Sequence, residues 1–252
     1  MRSLLITGLI VVFLSACTSE PLLSSEDQKR ASDLNAQLGL GYLKQGQYKR
    51  AKKKLDKAIK FNSDNPSAYH YLAELYRRID ENDKARENYL HALQLDPENQ
   101  NIKNNYGVFL CDVGDYQKGI QVFDKLLDDP LATGKDSVYE NVGLCRLKQG
   151  RLNDAEKAFK DALAINPKLP KSLLNLAQLR YDIGLNQEAY RLYGKYTSVA
   201  PQTPESLWLG ILLETDRGAK NTVASYKVKL KGKFPDSPQT RLLLKMEREG
   251  KL

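Results

Sequence analysis

The sequence predicts an all-α protein, a solenoid of about six helix hairpins, and three observations support this. Small residues recur at intervals of 34, 34, 36 and 34 residues. Large and apolar residues follow each of them at fixed distances, and turn-forming glycines and prolines recur with the same period. The recurring small residues are Ala51, Ala85, Gly119, Ala155 and Ala189. The word LKQG, at 43–46 and 147–150, returns because it occupies the same place in two repeats.

Each repeat is predicted to contain two helices, A and B, joined by a tight turn. Helix B is expected to carry one stripe of core residues. The stripe consists of a small residue, a large residue four positions later and an apolar residue three beyond that. A small residue in helix A lets helix B approach closely. Turn glycines supply the permissive backbone that ends helix A, and prolines end helix B in three repeats. These residues are Gly46, Gly114, Gly150 and Gly184, and Pro97, Pro167 and Pro201.

The repeats can be placed along the chain from this pattern. Five clear units are predicted at 32–65, 66–99, 100–135, 136–169 and 170–203, the third with a two-residue insertion near DDPLATGKDS. A sixth unit, 204–237, is degenerate. Its segment SYKVKLKGKF alternates Lys with apolar residues, as strands do, but Val223, Tyr226 and Leu230 also have helical spacing, so we expect a helix. Ser237 and Pro238 are predicted to start a capping helix within 238–252.

This period and residue pattern resembles the tetratricopeptide repeat, a helix–turn–helix unit. The resemblance covers residues 32–237 and implies a right-handed superhelix (an α-solenoid) in a domain spanning 26–252. It also implies a concave groove lined by one face of each helix A, where protein partners bind. By repeat position, the groove residues are Ala36, Leu40 and Leu43 in repeat one and His70, Tyr71, Glu74 and Arg77 in repeat two, followed by polar residues such as Asn104, Asn105 and Asp112.

The predicted groove is polar except in repeat one, where its face is apolar. An exposed apolar patch usually marks an interface, and an amphipathic helix or an extended peptide is the expected ligand. Two alternatives remain open. Residues 26–35 fold back over the patch or extend helix A to cover it, or the patch mediates self-association.

The first residues are predicted to be an export signal rather than part of the fold. The apolar run from Leu4 to Ala16 is too short to span a bilayer, which takes about 20 residues, but it has the length of a signal-peptide core. It ends in LSAC at 14–17, which resembles the bacterial lipobox. The resemblance implies a lipoprotein signal peptide at 1–16, diacylglycerol on Cys17 and a tether at 17–25. An ordinary signal peptide with a chance cysteine is the alternative.

Thr18 stands where aspartate would indicate retention in the inner membrane. We therefore expect the mature chain on the periplasmic face of the outer membrane. Export also places Cys111 and Cys145 in an oxidising compartment, where a disulfide can form. They lie late in the A helices of repeats three and four, 34 residues apart where the local repeat is 36, which predicts a stagger of about half a helical turn. Two buried free thiols are the alternative.

We find no catalytic residues, metal site or cofactor site in the sequence, apart from the lipid on Cys17. His70 and His91 lie on different helices without a second ligand at metal-binding spacing, and no glycine-rich phosphate loop follows a strand. The net charge is +8, with basic residues crowded at 49–60 and 227–233. Solvated helix faces explain these runs, with attraction to anionic lipid headgroups as the alternative, and nucleic acid is not expected as a partner. We expect a binding protein that acts on no small-molecule substrate.

The lipobox at Cys17, the array at 32–237 and the pair Cys111 and Cys145 together resemble the type IV pilus biogenesis lipoproteins, the pilotins. The resemblance implies a protein, monomeric by itself, that binds secretin subunits and promotes their localisation and multimerisation in the outer membrane. Only Cys17 is carried over as a functional residue. The alternative is a repeat lipoprotein that serves as an adaptor for outer-membrane protein assembly or for cell-wall enzymes.

Overall fold

The computed structural model describes residues 24–251, and in this range it contains thirteen α-helices and no strand. The prediction of an all-α solenoid is confirmed. The signal peptide, Cys17 and most of the tether lie outside the described residues. The helices are α1 Ser25–Lys44, α2 Tyr48–Phe61, α3 Pro66–Arg78, α4 Asn82–Leu95, α5 Gln100–Asp112, α6 Tyr116–Asp128, α7 Lys135–Lys148, α8 Leu152–Ile165, α9 Pro170–Asp182, α10 Asn186–Val199, α11 Pro204–Asp216, α12 Lys220–Lys233 and α13 Pro238–Arg248.

The helices form six antiparallel hairpins, with the odd-numbered helices as A helices, the even-numbered as B helices, and α13 as a cap. The segment of repeat six that also had strand-like alternation is a helix, α12. Most A helices end at a glycine in the left-handed region, for example Gly46 at φ 71° and Gly150 at φ 79°. Repeat two has no such glycine, and Asp80 takes this conformation instead, at φ 59°. Aspartate is one of the few other residues that adopt it readily.

Close approach of helices A and B depends on small residues in the A helices. A β-carbon added at Gly107 would lie 2.6 Å from Cε1 of Phe123, and one added at Gly39 would lie 2.6 Å from Cδ2 of Leu55. Interior packing has no room for such an atom. Because Phe123 and Leu55 are themselves fully buried, these glycines set the spacing of their hairpins.

The two ends of the solenoid differ. At the C-terminus, α13 begins with Ser237 as N-cap and Pro238 in its first turn, as the sequence predicted. Its Leu243 is buried in one cluster with Leu207, Ile211 and Leu230. At the N-terminus, α1 extends back to Ser25, so the segment 26–35 continues helix A. No described residue packs as a cap over α1.

The insertion in repeat three forms the loop between α6 and α7. Gly134 is the N-cap residue before α7, with a left-handed φ of 66°, and Lys135 Nζ donates a hydrogen bond to the Leu127 carbonyl at 2.8 Å. The loop absorbs the extra residues, so α7 still packs beside α5.

Candidate protein-binding groove

Neighbouring A helices lie side by side with a regular offset. A residue late in one A helix is matched with a residue of the next A helix that stands two places before its own repeat equivalent. We refer to two residues matched in this way as a seam pair. Leu43 and Leu75 form the first such pair and share one buried cluster. The seam pairs in chain order are Leu43/Leu75, Arg77/Phe109, Cys111/Cys145, Leu147/Leu179 and Tyr181/Leu213.

The third seam pair is a disulfide. The Cα atoms of Cys111 and Cys145 are 5.4 Å apart, within the range a disulfide requires. The stagger expected from the sequence does not separate them, because every seam pair has the same two-residue offset. Gly119 lies against the bond, and a β-carbon there would be 2.6 Å from Cys111 Sγ. The disulfide therefore joins the two repeats that the inserted loop connects, near the C-terminal ends of α5 and α7 and away from the loop.

A row of charged side chains crosses three A helices. Arg77 on α3 donates one hydrogen bond to Glu74 at 2.9 Å and one to Asp112 on α5 at 2.7 Å. Lys148 on α7 pairs with the other oxygen of Asp112. Tyr89 reaches the same network from α4 by donating to Glu74. We call Glu74, Arg77, Asp112 and Lys148 the charged row.

The charged row is partly shielded from solvent, and the pKa values reflect this. Burial opposes the charge on Arg77, but the carboxylates of Glu74 and Asp112 hold its pKa above the ordinary value. Burial and the neighbouring Glu74 raise the pKa of Tyr89. The side chain of Arg77 is 25% exposed. Arg77 thus stays charged while its carboxylate partners fix its guanidinium in one orientation.

A second row of hydrogen bonds runs parallel to the first, nearer the start of each A helix. Asn105 Nδ2 lies 2.9 Å from Nε2 of His70, and Asn141 Nδ2 donates to Oδ1 of Asn104 at 2.9 Å. His70 is buried, and loss of solvation lowers its pKa despite the nearby Glu74. The neutral imidazole therefore accepts from Asn105 through Nε2.

The groove predicted for repeat one is only partly present. Ala36 and Leu43 are 0% and 1% exposed, so their assignment to the groove surface is wrong. Leu40 is half-buried and keeps a face toward solvent. Helix α2 of the same hairpin and α3 of the next one pack against α1 and cover both residues. Ala36 shares a cluster with Ala58 and Ala68.

The exposed apolar residues of α1 lie on a different face. Leu34 and Leu38 are 62% and 40% exposed. They occupy the repeat positions of Ala68 and Leu72, which are buried in repeat two against the preceding hairpin. Repeat one has no preceding hairpin among the described residues. The apolar patch is therefore the open end of the solenoid rather than the groove wall.

The groove that the structure supports is the exposed face of α1, α3, α5 and α7. Sequence reasoning missed its contributions from repeat four, although Asn141 and Lys148 follow from the same repeat positions as Asn105 and Asp112. Tyr71 is half-buried on this face. The residues that define the groove are Leu40, Tyr71, Asn104, Asn105, Asn141 and the charged row.

Within residues 24–251 no group of three His, Cys, Asp or Glu side chains is placed to hold a metal ion. The polar groups of both rows are engaged with one another across helices. These hydrogen bonds hold the polar side chains of the groove in place.

Comparison with known families identifies the repeats. Models described as tetratricopeptide repeat match residues 39–80, 66–99, 110–170 and 146–208. The type IV pilus assembly protein PilF of Pseudomonas aeruginosa is 32% identical over 233 residues, which covers 91% of this chain and 92% of PilF. This chain belongs to the PilF family.

Solved structures agree with the assignment to the PilF family. The Pseudomonas aeruginosa PilF structure superposes with a TM-score of 0.72 at 31% identity, covering 86% of this chain and 98% of PilF. A crystal structure of PilW, described as a widely conserved type IV pilus biogenesis factor, has a TM-score of 0.71 at 31% identity, covering 84% of this chain and 98% of PilW. This chain is therefore a PilF/PilW-like tetratricopeptide-repeat protein, and its relatives act in type IV pilus biogenesis.

Proposed function

We propose that this chain is a pilotin, a lipid-anchored protein that binds secretin subunits and promotes their localisation and multimerisation in the outer membrane. Membership of the PilF family and the lipobox-like LSAC at 14–17 support the proposal. The structural observation that carries it is the groove with its charged row, which joins three A helices into one continuous binding face.

The groove suits a segment of the secretin that is extended or forms one amphipathic helix. Side chains such as Arg77 and Asn104 are already held in place by their neighbours. A partner therefore does not have to order them, and prior ordering of this kind favours affinity. Leu40 and Tyr71 add apolar surface beside these polar groups. A ligand with apolar anchors spaced along a polar backbone matches this lining.

The proposed mechanism needs no covalent chemistry. Diacylglycerol on Cys17 and acylation of the new N-terminus anchor the chain stably, because two or more chains exceed the marginal binding of a single one. Confinement at the membrane raises the effective concentration of each captured secretin subunit near the others. Multimerisation then follows from proximity.

A complementation experiment tests the proposal. Deleting the gene should leave the secretin monomeric in unheated gels of outer-membrane fractions, and the wild-type chain should restore the multimer. Cys17→Ser should fail to restore it because the chain is no longer anchored. Multimers that persist after the deletion would contradict the pilotin role. Normal pili with defects in porins or cell wall would instead support an adaptor.

A matched pair of substitutions tests the groove separately. Leu40→Glu places a charge in the groove, and Leu90→Glu places one on α4, where Leu90 is 50% exposed. We expect only Leu40→Glu to reduce co-purification of secretin, with both variants unfolding at similar denaturant concentrations. Equal capture by both variants would rule out this groove as the secretin site.

A further inference from the structure

Helix α2, like α12 in the sixth repeat, is far more basic than the other helices of the array. It has seven Lys or Arg side chains and one acidic residue, Asp56, in 14 residues. The other B helices of the regular repeats are close to balance. Helices α4 and α6 each have two basic and two acidic side chains, and α8 has two basic and three acidic. The excess of basic charge is therefore concentrated on α2 and α12.

The lysines of α2 form a row on the side that faces away from α1. Ala51, Leu55 and Ala58 are the buried residues of α2, and the opposite side of the helix carries exposed lysines. These are Lys49, Lys53, Lys57 and Lys60, which we call the basic row. None of the four pairs with a carboxylate in the described part of the chain. Lys57 Nζ lies over the ring of Phe61, 5.5 Å from the ring centroid.

Charge repulsion within the basic row destabilises helix α2. Like charges one turn apart repel, and here Lys49, Lys53 and Lys57 follow at four-residue spacing. The other lysine-rich helix, α12, has an anionic partner for two of its five lysines. Lys227 and Lys231 of α12 lie 3.6 Å and 3.3 Å from Glu247 of α13. The basic row thus lacks the internal anionic partner that α12 has, which indicates an external one.

The position of the basic row places it near the proposed anchor. The Ser32 hydroxyl of α1 donates to the carbonyl of Ala58 at 2.8 Å, so the end of α2 with Lys57 and Lys60 lies beside Ser32. Ser32 is about 12 Å along α1 from Ser24 at 1.5 Å per residue. The seven residues from Cys17 to Ser24 reach up to about 23 Å. A bilayer holding Cys17 is therefore within reach of the basic row.

We propose that the basic row binds the anionic phospholipid headgroups of the membrane that holds the lipid anchor. This proposal rests on the proposed function for the anchor itself. Each basic side chain at an anionic surface strengthens association by roughly fivefold, so four act strongly together. Because α1 packs on the opposite side of α2, this contact holds the protein with α2 against the bilayer and the groove turned away from it, open to the periplasm.

Lysine reactivity tests the contact in the acylated full-length chain. The protein is reconstituted in vesicles of phosphatidylcholine alone or with phosphatidylglycerol added, and the labelling rate of each lysine is measured by mass spectrometry. We expect the basic row to label at least about fivefold more slowly on the anionic vesicles, with the difference abolished at high salt. Lys125 and Lys157, which are exposed on α6 and α8 and form no ion pair within residues 24–251, serve as internal references and should not change.

Two double variants sharpen the test. Lys53→Gln with Lys60→Gln removes half of the basic row, and Lys125→Gln with Lys157→Gln removes the same charge elsewhere. Protection of Lys49 and Lys57 should be lost in the first variant and retained in the second. Equal labelling on both kinds of vesicle, or protection that salt does not reverse, would overturn the headgroup contact. A chain that floats with neither kind of vesicle would instead refute the lipid anchor.

Discussion

The seam between α3 and α5 and the seam between α5 and α7 use the same repeat positions with different chemistry. The first has Arg77 and Phe109 at the seam positions, and the guanidinium of Arg77 donates to Glu74 on α3 and Asp112 on α5. The second replaces that pair with the disulfide between Cys111 and Cys145. Both seams also contain one hydrogen bond in the second row, from Asn105 to His70 and from Asn141 to Asn104.

The difference shows how a solenoid divides stability and recognition among its seams. Each repeat contacts only its neighbours, so each seam has to be stable by itself. The seam between the two repeats that the inserted loop connects is joined covalently, whereas the seam without an insertion is held by charges that also face the groove. We infer that the disulfide serves mainly stability and that Arg77 serves both stability and binding.

The largest expected effect is that of breaking the disulfide. Replacing both Cys111 and Cys145 by Ala should lower the free energy of unfolding by about 3 kcal/mol, because the unfolded chain is no longer closed into a loop. Urea unfolding measures the change. Reducing agent should destabilise the wild-type protein by a similar amount and leave the double variant unaffected. Identical stability of the oxidised and reduced wild-type protein would show that this seam does not depend on the bond.

Removing the central charge of the first seam should have the next largest effect. Arg77→Ala leaves Glu74 and Asp112 without their main partner in a partly buried site, at an expected cost of about 2 kcal/mol. The neighbouring Arg78, exposed and without a described partner, provides the matched control, and Arg78→Ala should stay within about 0.5 kcal/mol of wild type. Similar stabilities for the two variants would mean that the charged row contributes only to binding.

A smaller effect is expected from the second row. Asn104→Ala removes the acceptor of Asn141, at a cost of about 1 kcal/mol. A double-mutant cycle with Asn141→Ala isolates the pair. A coupling energy near zero would show that water replaces the bond. Asn101→Ala, at an exposed position on the same helix, controls for loss of an asparagine from α5.

Much of the fold follows from repeat positions. Gly107 and Gly39 are predictable as close-approach sites because a large residue recurs at a fixed distance in each B helix. The turn glycines and the start of α13 are also predictable, because they depend on residues close together in the sequence. The left-handed conformation of Asp80 was not predictable, because aspartate also occurs in many other backbone conformations.

The groove was predictable only in outline. Ala36 and Leu43 occupy positions that face the groove side, but whether they are exposed depends on the helix packed next to them. The charged row joins Arg77, Asp112 and Lys148 at repeat positions that coincide or differ by one, and the sequence does not display the offset of neighbouring A helices that decides which side chains meet. The sequence could not decide whether the disulfide forms for the same reason, since the offset determines whether Cys111 meets Cys145.

The smallest expected effect concerns pH and distinguishes the two second-row bonds. Burial lowers the pKa of His70 below its ordinary value of 6.5, so the folded protein favours the neutral ring. As pH falls through about 6.5, the unfolded chain takes up a proton that the folded protein resists, and stability declines. Above this value the contribution of His70 is constant. His70→Gln should therefore unfold with a flatter dependence on pH between neutral and about pH 5.

The Asn104–Asn141 bond contains no group that titrates in this range, which makes it the control for His70. Asn104→Ala should lower stability by the same amount at every pH, so its curve runs parallel to that of the wild type. His70→Gln should instead converge with or cross the wild-type curve as the solution is acidified. Parallel curves for both variants would show that protonation of His70 is not coupled to unfolding, and that the two seams differ only in their seam pairs.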